Sequence, residues 1–130
     1  MLDACAMIAY LRDEEGGVLV EEYLASDEDS VTHVVNLCEV YYDFVRSHSE
    51  ERARSAVDDL ENEGVLVRED TDREFWQDVG RLKATPIRIS LADCFAIALS
   101  NRVDGRLLTS DHHELDTVAE QGICEVEFIR

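Results

Sequence analysis

Four acidic side chains, Asp3, Glu39, Asp93 and Asp111, sit where an otherwise patterned chain has least reason to place a charge. Asp3 follows an apolar start, Glu39 lies within VVNLCEVYYDFV, Asp93 within SLADCFAIALS, and Asp111 ends RLLTSD. A carboxylate in such surroundings carries a desolvation cost of roughly several kcal/mol unless positive charge meets it. Four acids converging from across the chain would therefore imply a bound divalent cation. Each also has a simpler explanation. Asp3 suits the N-cap of a helix, and Ser90 with Asp93, like Asp111 with Glu114, has the spacing of a capping box. Asn36, Glu39, Asp43 and Arg46 recur at intervals of three and four, which taken alone reads as the solvated stripe of an apolar helix.

Other reactive side chains carry weaker signals. Cys5, Cys38 and Cys94 lie within two residues of an acid, but neighbours on a helix point about 100° apart, so Cys38 with Glu39, or Asp93 with Cys94, are poorly placed to share one ion. With Cys124 they form no CxxC pair and read as four reduced thiols, mostly buried. His112 and His113 read as loop histidines near a cleft, outside the catalysis. Arg12, Arg46 and Arg102 are candidate substrate-binding cations that solvated helix faces explain equally well. Thr109 and Ser110 could hydrogen-bond the acids or a phosphate, although a hydroxyl before a helix is more often a cap. Phe75 and Trp76 read as core.

These acids need a scaffold. Leu2 to Leu11 passes from a very short strand into a helix, Gly16-Gly17 breaks the pattern, and a second helix covers about Val18 to Ala25. After the acidic turn Ser26 to Ser30, Val31 to Val34 reads as a strand leading into the helix that carries Glu39. A polar helix from about Ser49 to Asn62 shows an apolar stripe at Ala53, Ala56, Val57 and Leu60 and stops at Gly64. Val65 to Val67 is a buried-strand signal, Arg73 to Lys83 and Ser90 to Arg102 are helices, and Arg106 to Thr109 is a strand. A short helix around Glu114 to Glu120 and a strand Glu125 to Ile129 complete the alternation. Alternating strands and helices predict an α/β fold, a three-layer α/β/α sandwich around a central parallel sheet of about five strands. In such sheets ligands bind beyond the carboxyl ends of the strands, where Asp3 and Asp111 fall.

The length of 130 residues suits one domain, residues 1–130. No apolar run approaches the roughly 20 residues of a membrane span. Arg12 is followed directly by Asp13, Glu14 and Glu15, unlike the start of a secretory signal, so no membrane association and a cytoplasmic location are expected. Thirty acidic residues against 12 basic ones give a net charge of −18, with Lys83 the single lysine. That balance reads first as a solvated acidic surface suited to high salt, and second as a surface for a basic protein partner. On charge alone nucleic acid would be a poor partner, unless metal ions neutralise the site locally.

The four acids and the words around them, taken together, resemble the PIN domain family, in particular the VapC-like toxin ribonucleases. LDACAMIAYL is similar to the family's opening acid motif, NLCEVYYDF to its glutamate helix, SLADCFAIALS to its central aspartate helix, and LLTSDHHEL to its late strand-end aspartate. The resemblance covers essentially the whole chain. It implies a metal-dependent endoribonuclease that leaves 5′-phosphate and 3′-hydroxyl ends, with Asp3, Glu39, Asp93 and Asp111 holding Mg²⁺ or Mn²⁺. Asp3 and Asp93 would carry most of the metal contact, Asp111 would bind directly or through water, and Glu39 would orient or deprotonate the attacking water. Glu114 or Asp116 would join as a fifth, weaker acid. It further implies an RNA substrate, a homodimer, and a small antitoxin that blocks the site. Two positions depart from the family pattern. Cys5 stands where Ser or Thr is usual, and only Met1 and Leu2 precede Asp3. The alternatives are a non-catalytic PIN-like module that binds a protein partner, and an RNA-processing nuclease outside any toxin–antitoxin pair. A phosphoacceptor receiver domain is disfavoured because Lys83 lies in a polar helix rather than after a late strand.

Overall fold

A computed structural model describes residues 1–130. Seven helices alternate with four short strands: α1 Ala4–Leu11, α2 Gly17–Leu24, β1 Val31–His33, α3 Val34–Ser47, α4 Glu50–Asn62, β2 Leu66–Arg68, α5 Arg73–Lys83, α6 Leu91–Arg102, β3 Leu107–Thr109, α7 His112–Glu120 and β4 Val126–Phe128. Side-chain oxygens of Asp3, Ser49, Asp72, Ser90 and Asp111 each accept a backbone N–H in the first turn of the following helix, which fixes where five helices begin. Gly64, at φ +96°, ends α4 in the left-handed conformation that suits glycine.

All strand pairing is parallel, β1 with β2 and β3 with β4. The segment Met1 to Asp3 runs between the two pairs. The Leu2 N–H donates to Val31 O at 2.8 Å, and the Leu108 N–H donates to Met1 O at 2.8 Å. Leu2 is the one bridge residue on this segment, paired with Leu108. The regular pairing is thus two two-stranded pairs, not a continuous sheet of about five strands, and the backbone of Met1 to Asp3 bridges them. The local reason is Asp3, which is still extended but caps α1, so the chain turns helical at Ala4 and leaves only a three-residue extended segment.

Successive residues of a strand face opposite sides, and the cores follow that rule. Leu2 and Leu108 pack with α1, α2, α3 and α4 through Met7, Val20, Val40 and Leu60. Met1 and Leu107 pack on the other side with α5, α6 and α7 through Phe75, Ile97 and Leu115. Helices thus cover both faces of the strands. Phe75 is buried as expected, but Trp76 is 48% exposed, because α5 presents Phe75 and Val79 to the core and the next residue after Phe75 turns about 100° away. Cys38 is likewise exposed, off the buried face formed by Asn36, Leu37, Val40 and Phe44, while Cys94 and Cys124 are buried. No helix is long and apolar enough to cross a membrane.

Candidate metal centre

Asp3, Glu39, Asp93, Asp111 and Glu114 line one cleft of about 230 Å³, together with Cys5, Tyr42, Asp43 and Ser90. Asp3 enters from the end of the first extended segment, and Asp111 from the loop that follows β3. Asp93 lies in the first turn of α6 and Glu114 in the first turn of α7. Glu39 comes from the second turn of α3. The closest grouping is Asp93, Asp111 and Glu114, whose ligand oxygens lie within 4.8 Å of one another.

The capping explanation and the cleft explanation apply to different oxygens of the same residues. Asp3 Oδ1 accepts the Ala6 N–H at 2.7 Å, while its buried Oδ2 has no hydrogen-bond partner. Asp111 Oδ1 accepts the Glu114 N–H at 3.1 Å. In a full capping box Glu114 would reach back to the Asp111 N–H, but the Thr109 hydroxyl takes that donor at 2.9 Å. Glu114 Oε2 accepts the Ser90 N–H instead, at 2.5 Å, tying α7 to the start of α6. The Ser90 hydroxyl accepts the Asp93 N–H at 3.0 Å and donates to Asp93 Oδ2 at 2.5 Å. Both boxes are therefore half-formed: Asp93 stays on the hydroxyl of its own cap, Ser90, while Glu114 leaves its own helix end for the Ser90 N–H, which brings the two carboxylates together.

The first half of the α3 polar stripe is not a solvated face. Asn36 is fully buried, and its Nδ2 donates to Ala92 O at 3.1 Å, fastening α3 to the first turn of α6. The same group lies 3.5 Å from Glu39 Oε2, so Asn36 holds Glu39 at the cleft edge. Asn36 Oδ1 has no partner. Further along the stripe, Asp43 is engaged by Arg12.

Burial and crowding disfavour charge on these acids. Asp3, 1% exposed, is raised to about 7, mainly by burial, with Asp111 and Glu39 adding to it and the Thr109 hydroxyl and Ala6 N–H opposing it. Burial also raises Asp93 well above the carboxylate range; Ser90 opposes the rise and the nearby charges of Glu114 and Asp3 reinforce it. Glu39 is raised by burial, against the Asn36 hydrogen bond. The Cys5 thiol is pushed up to about 12 by burial and then by the surrounding acids, so it stays protonated beside them.

The family resemblance implies Glu114 or Asp116 as a fifth, weaker acid, and the two lie in different surroundings. Asp116 accepts from His112 at 2.8 Å on the exposed side of α7, and His112 also bonds Arg130 O and stacks on Phe128. Glu114 sits within the tightest acid group. Its signal in the sequence is the one-turn spacing from Asp111, which reads equally as a cap. Ser90 and Thr109 support the acids through hydrogen bonds, and the one from the Ser90 N–H to Glu114, 24 residues away, is what no spacing rule singles out. Of the candidate arginines, Arg12 is held by Asp43 and Ser47, and Arg102 by Asp70 and Asp72. Arg46 is exposed.

No curated protein matches the chain in sequence. Among solved structures, it is similar to VapBC2 from Rickettsia felis bound to a DNA fragment from the promoter, with a TM-score of 0.74, 14% identity, and 98% of this chain and 96% of that one covered. A toxin–antitoxin complex from Klebsiella pneumoniae superposes with a TM-score of 0.72 at 14% identity, covering 99% and 96% of the two chains. VapBC-1 from nontypeable Haemophilus influenzae does so with a TM-score of 0.72 at 18% identity and the same coverage. At these identities the likeness is one of fold. A family model described as PIN domain matches residues 1–121, and on that match, over nearly the whole sequence, the chain belongs to the PIN domain family.

Proposed function

We propose that the protein is a metal-dependent endoribonuclease, the toxin component of a toxin–antitoxin pair, acting on RNA phosphodiester bonds. The observation that carries this reading is the meeting of Asp93, Asp111 and Glu114 within 4.8 Å in a cleft that also holds Asp3 and Glu39. The donor set fits Mg²⁺ or Mn²⁺, because it consists of hard carboxylate oxygens. The unpartnered, buried Asp3 Oδ2 fits as well, since a lone buried acceptor is costly unless a cation or proton meets it.

In this reading Asp93, Asp111 and Glu114 hold the cation, and Asp3 contributes from the floor of the cleft. That moves weight from Asp3 towards Glu114 relative to the sequence expectation. When bound, the cation supplies positive charge to the phosphoryl oxygens and acidifies a nucleophilic water. Glu39, raised by burial and held by Asn36, orients that water and accepts its proton. Ser90 and Thr109 keep Asp93, Glu114 and Asp111 in register. The expected products carry 5′-phosphate and 3′-hydroxyl ends.

The structural neighbours are toxin–antitoxin proteins, which supports an antitoxin partner here. A groove of about 570 Å³ between α1, α2 and α4, carrying Asp13, Glu14, Glu21, Asp59 and Glu63 beside the exposed Val18, would suit a basic, partly apolar segment of such a partner. A homodimer is proposed with it, to be read from solution mass.

The test is cleavage of a labelled structured RNA panel with Mn²⁺ or Mg²⁺, beside EDTA and Asp93→Asn. Cleavage that vanishes in EDTA and drops roughly 100-fold or more in Asp93→Asn is expected, on the scale of lost metal stabilisation. Equal inactivity of both proteins, with Mn²⁺ still raising the melting temperature of the wild type, would replace the nuclease reading with a non-catalytic binding module. Robust cleavage without any co-purifying basic partner would favour an RNA-processing nuclease outside a toxin–antitoxin pair.

A further inference from the structure

A protein with a net charge of −18 can hold a polyanion only where cations are left free of its own carboxylates. Most of the basic residues are not free. Arg12, Arg54, Arg68, Arg81, Arg102, Arg106 and Arg130 are each in ion pairs with Asp or Glu. Arg88 has no such pair, and it lines a groove of about 430 Å³ with His113, Thr117, Gln121 and Ile87. Glu114 lines this groove and the acidic cleft alike. The two spaces therefore adjoin.

The local chain geometry keeps Arg88 close to the cleft. Arg88 precedes the buried Ile89 and is two residues from Ser90, which hydrogen-bonds both Asp93 and Glu114. Two residues of extended chain put the Arg88 and Ser90 Cα atoms at most about 7 Å apart, so Arg88 stands at the edge of the acidic cleft. Glu114 is the one carboxylate in the groove lining, and its Oε2 is turned to the Ser90 N–H. The exposed Arg88 and His113, with the hydroxyl of Thr117 and the amide of Gln121, leave the groove lined by hydrogen-bond donors.

We propose that the Arg88–His113 groove is the subsite that takes a backbone phosphate of single-stranded RNA next to the bond being cut. The proposal rests on the nuclease reading and adds to it the residue that positions the substrate. Arg88 acts as a binding residue through a charge-assisted contact to phosphate, so it affects affinity for all sequences alike. None of the arginines that stand out in the sequence occupies this position.

The experiment measures binding of fluorescein-labelled single-stranded RNA oligonucleotides to the full chain carrying Asp93→Asn, with Mn²⁺, over a range of salt. Adding Arg88→Gln should weaken binding about tenfold and lower the salt slope by about 0.7, the loss of one phosphate contact on a single strand. Thr117→Glu, which adds a negative charge to the groove, should weaken it likewise, and Arg88→Lys should retain part of the affinity. Arg52→Gln, at an exposed position of α4, should change nothing. The Mn²⁺-induced rise in melting temperature of Arg88→Gln in the otherwise unaltered chain should equal that of the wild type, which keeps a folding defect out of the result. Unchanged affinity and slope in both groove variants, with RNA still cleaved by the wild type, would overturn the subsite and leave the nuclease standing. No RNA binding by the parent and no cleavage by the wild type would overturn both.

Discussion

Asp3 is the residue on which two demands meet: one oxygen caps α1, and the other is buried without a partner. Its folded-state value of about 7 lies above the 3.8 of an unperturbed aspartate, so the folded chain binds the extra proton and the unfolded chain does not between those values. The associated stability is present in full below about pH 4 and is lost as pH rises to about 7. At 1.36 kcal/mol per unit this is roughly 4 kcal/mol as an upper figure. Asparagine keeps the cap without the charge. In EDTA, the melting temperature of Asp3→Asn should therefore gain on that of the wild type steadily between about pH 4 and 7 and then level off. Parallel profiles for the two proteins would show that Asp3 is not held in this environment. Added Mn²⁺ should close the gap at neutral pH, since a bound cation relieves the crowding of charge.

At the scale of elements, the site depends on two helix starts locked to each other. Ser90 caps α6, donates to Asp93 through its hydroxyl, and donates to Glu114 through its N–H. Ser90→Ala should cost about 1 kcal/mol for the cap and, by freeing the Asp93 carboxylate, reduce the Mn²⁺-induced thermal shift. Ser90→Thr, which keeps the hydroxyl, should restore most of both. Wild-type Mn²⁺ response in Ser90→Ala would mean that the hydroxyl does not orient Asp93. A second element junction lies at Gly16, whose φ of +88° starts α2 against the chain after β4. A Cβ there would stand 2.6 Å from Ile129 O, whereas one at Gly122, φ +65°, would meet nothing within 4 Å. Gly16→Ala should lose at least 1–3 kcal/mol in denaturant melts and Gly122→Ala roughly 1 kcal/mol, the difference being the clash. Equal losses would assign the whole effect to the backbone angle.

At the scale of the whole molecule, the charge of −18 opposes compactness through self-repulsion, and the exposed ion pairs return little against it. Raising salt from about 50 mM to about 1 M shortens the screening length to about 3 Å, below the spacing of most surface charges. The melting temperature should then rise by several degrees, and a flat or falling response would indicate that the acids are already compensated. The proposed RNA binding should instead weaken with salt, because it would depend on the few free cations.

Local patterns in the sequence make much of this protein readable. Helical periodicity and capping residues act within a few positions, so the pattern bounds Arg73 to Lys83 as it stands in the fold, and α4 and α6 to within a residue of their starts. The acids Asp3, Glu39, Asp93 and Asp111 stand out because a charge among apolar neighbours is anomalous in sequence as well as in space. Tertiary structure alone decides what each oxygen does. Whether Glu114 closes a capping box with Asp111 depends on Ser90, which approaches from the loop before α6, 24 residues away in the chain. Whether the α3 stripe meets water depends on the first turn of α6, which buries Asn36. The proposed preference for Glu114 over Asp116, and for Arg88 over Arg12 or Arg102, rests on the same cause. Periodicity assigns a residue to a face of its own element, but the partner that face meets is set by packing between segments distant in the chain.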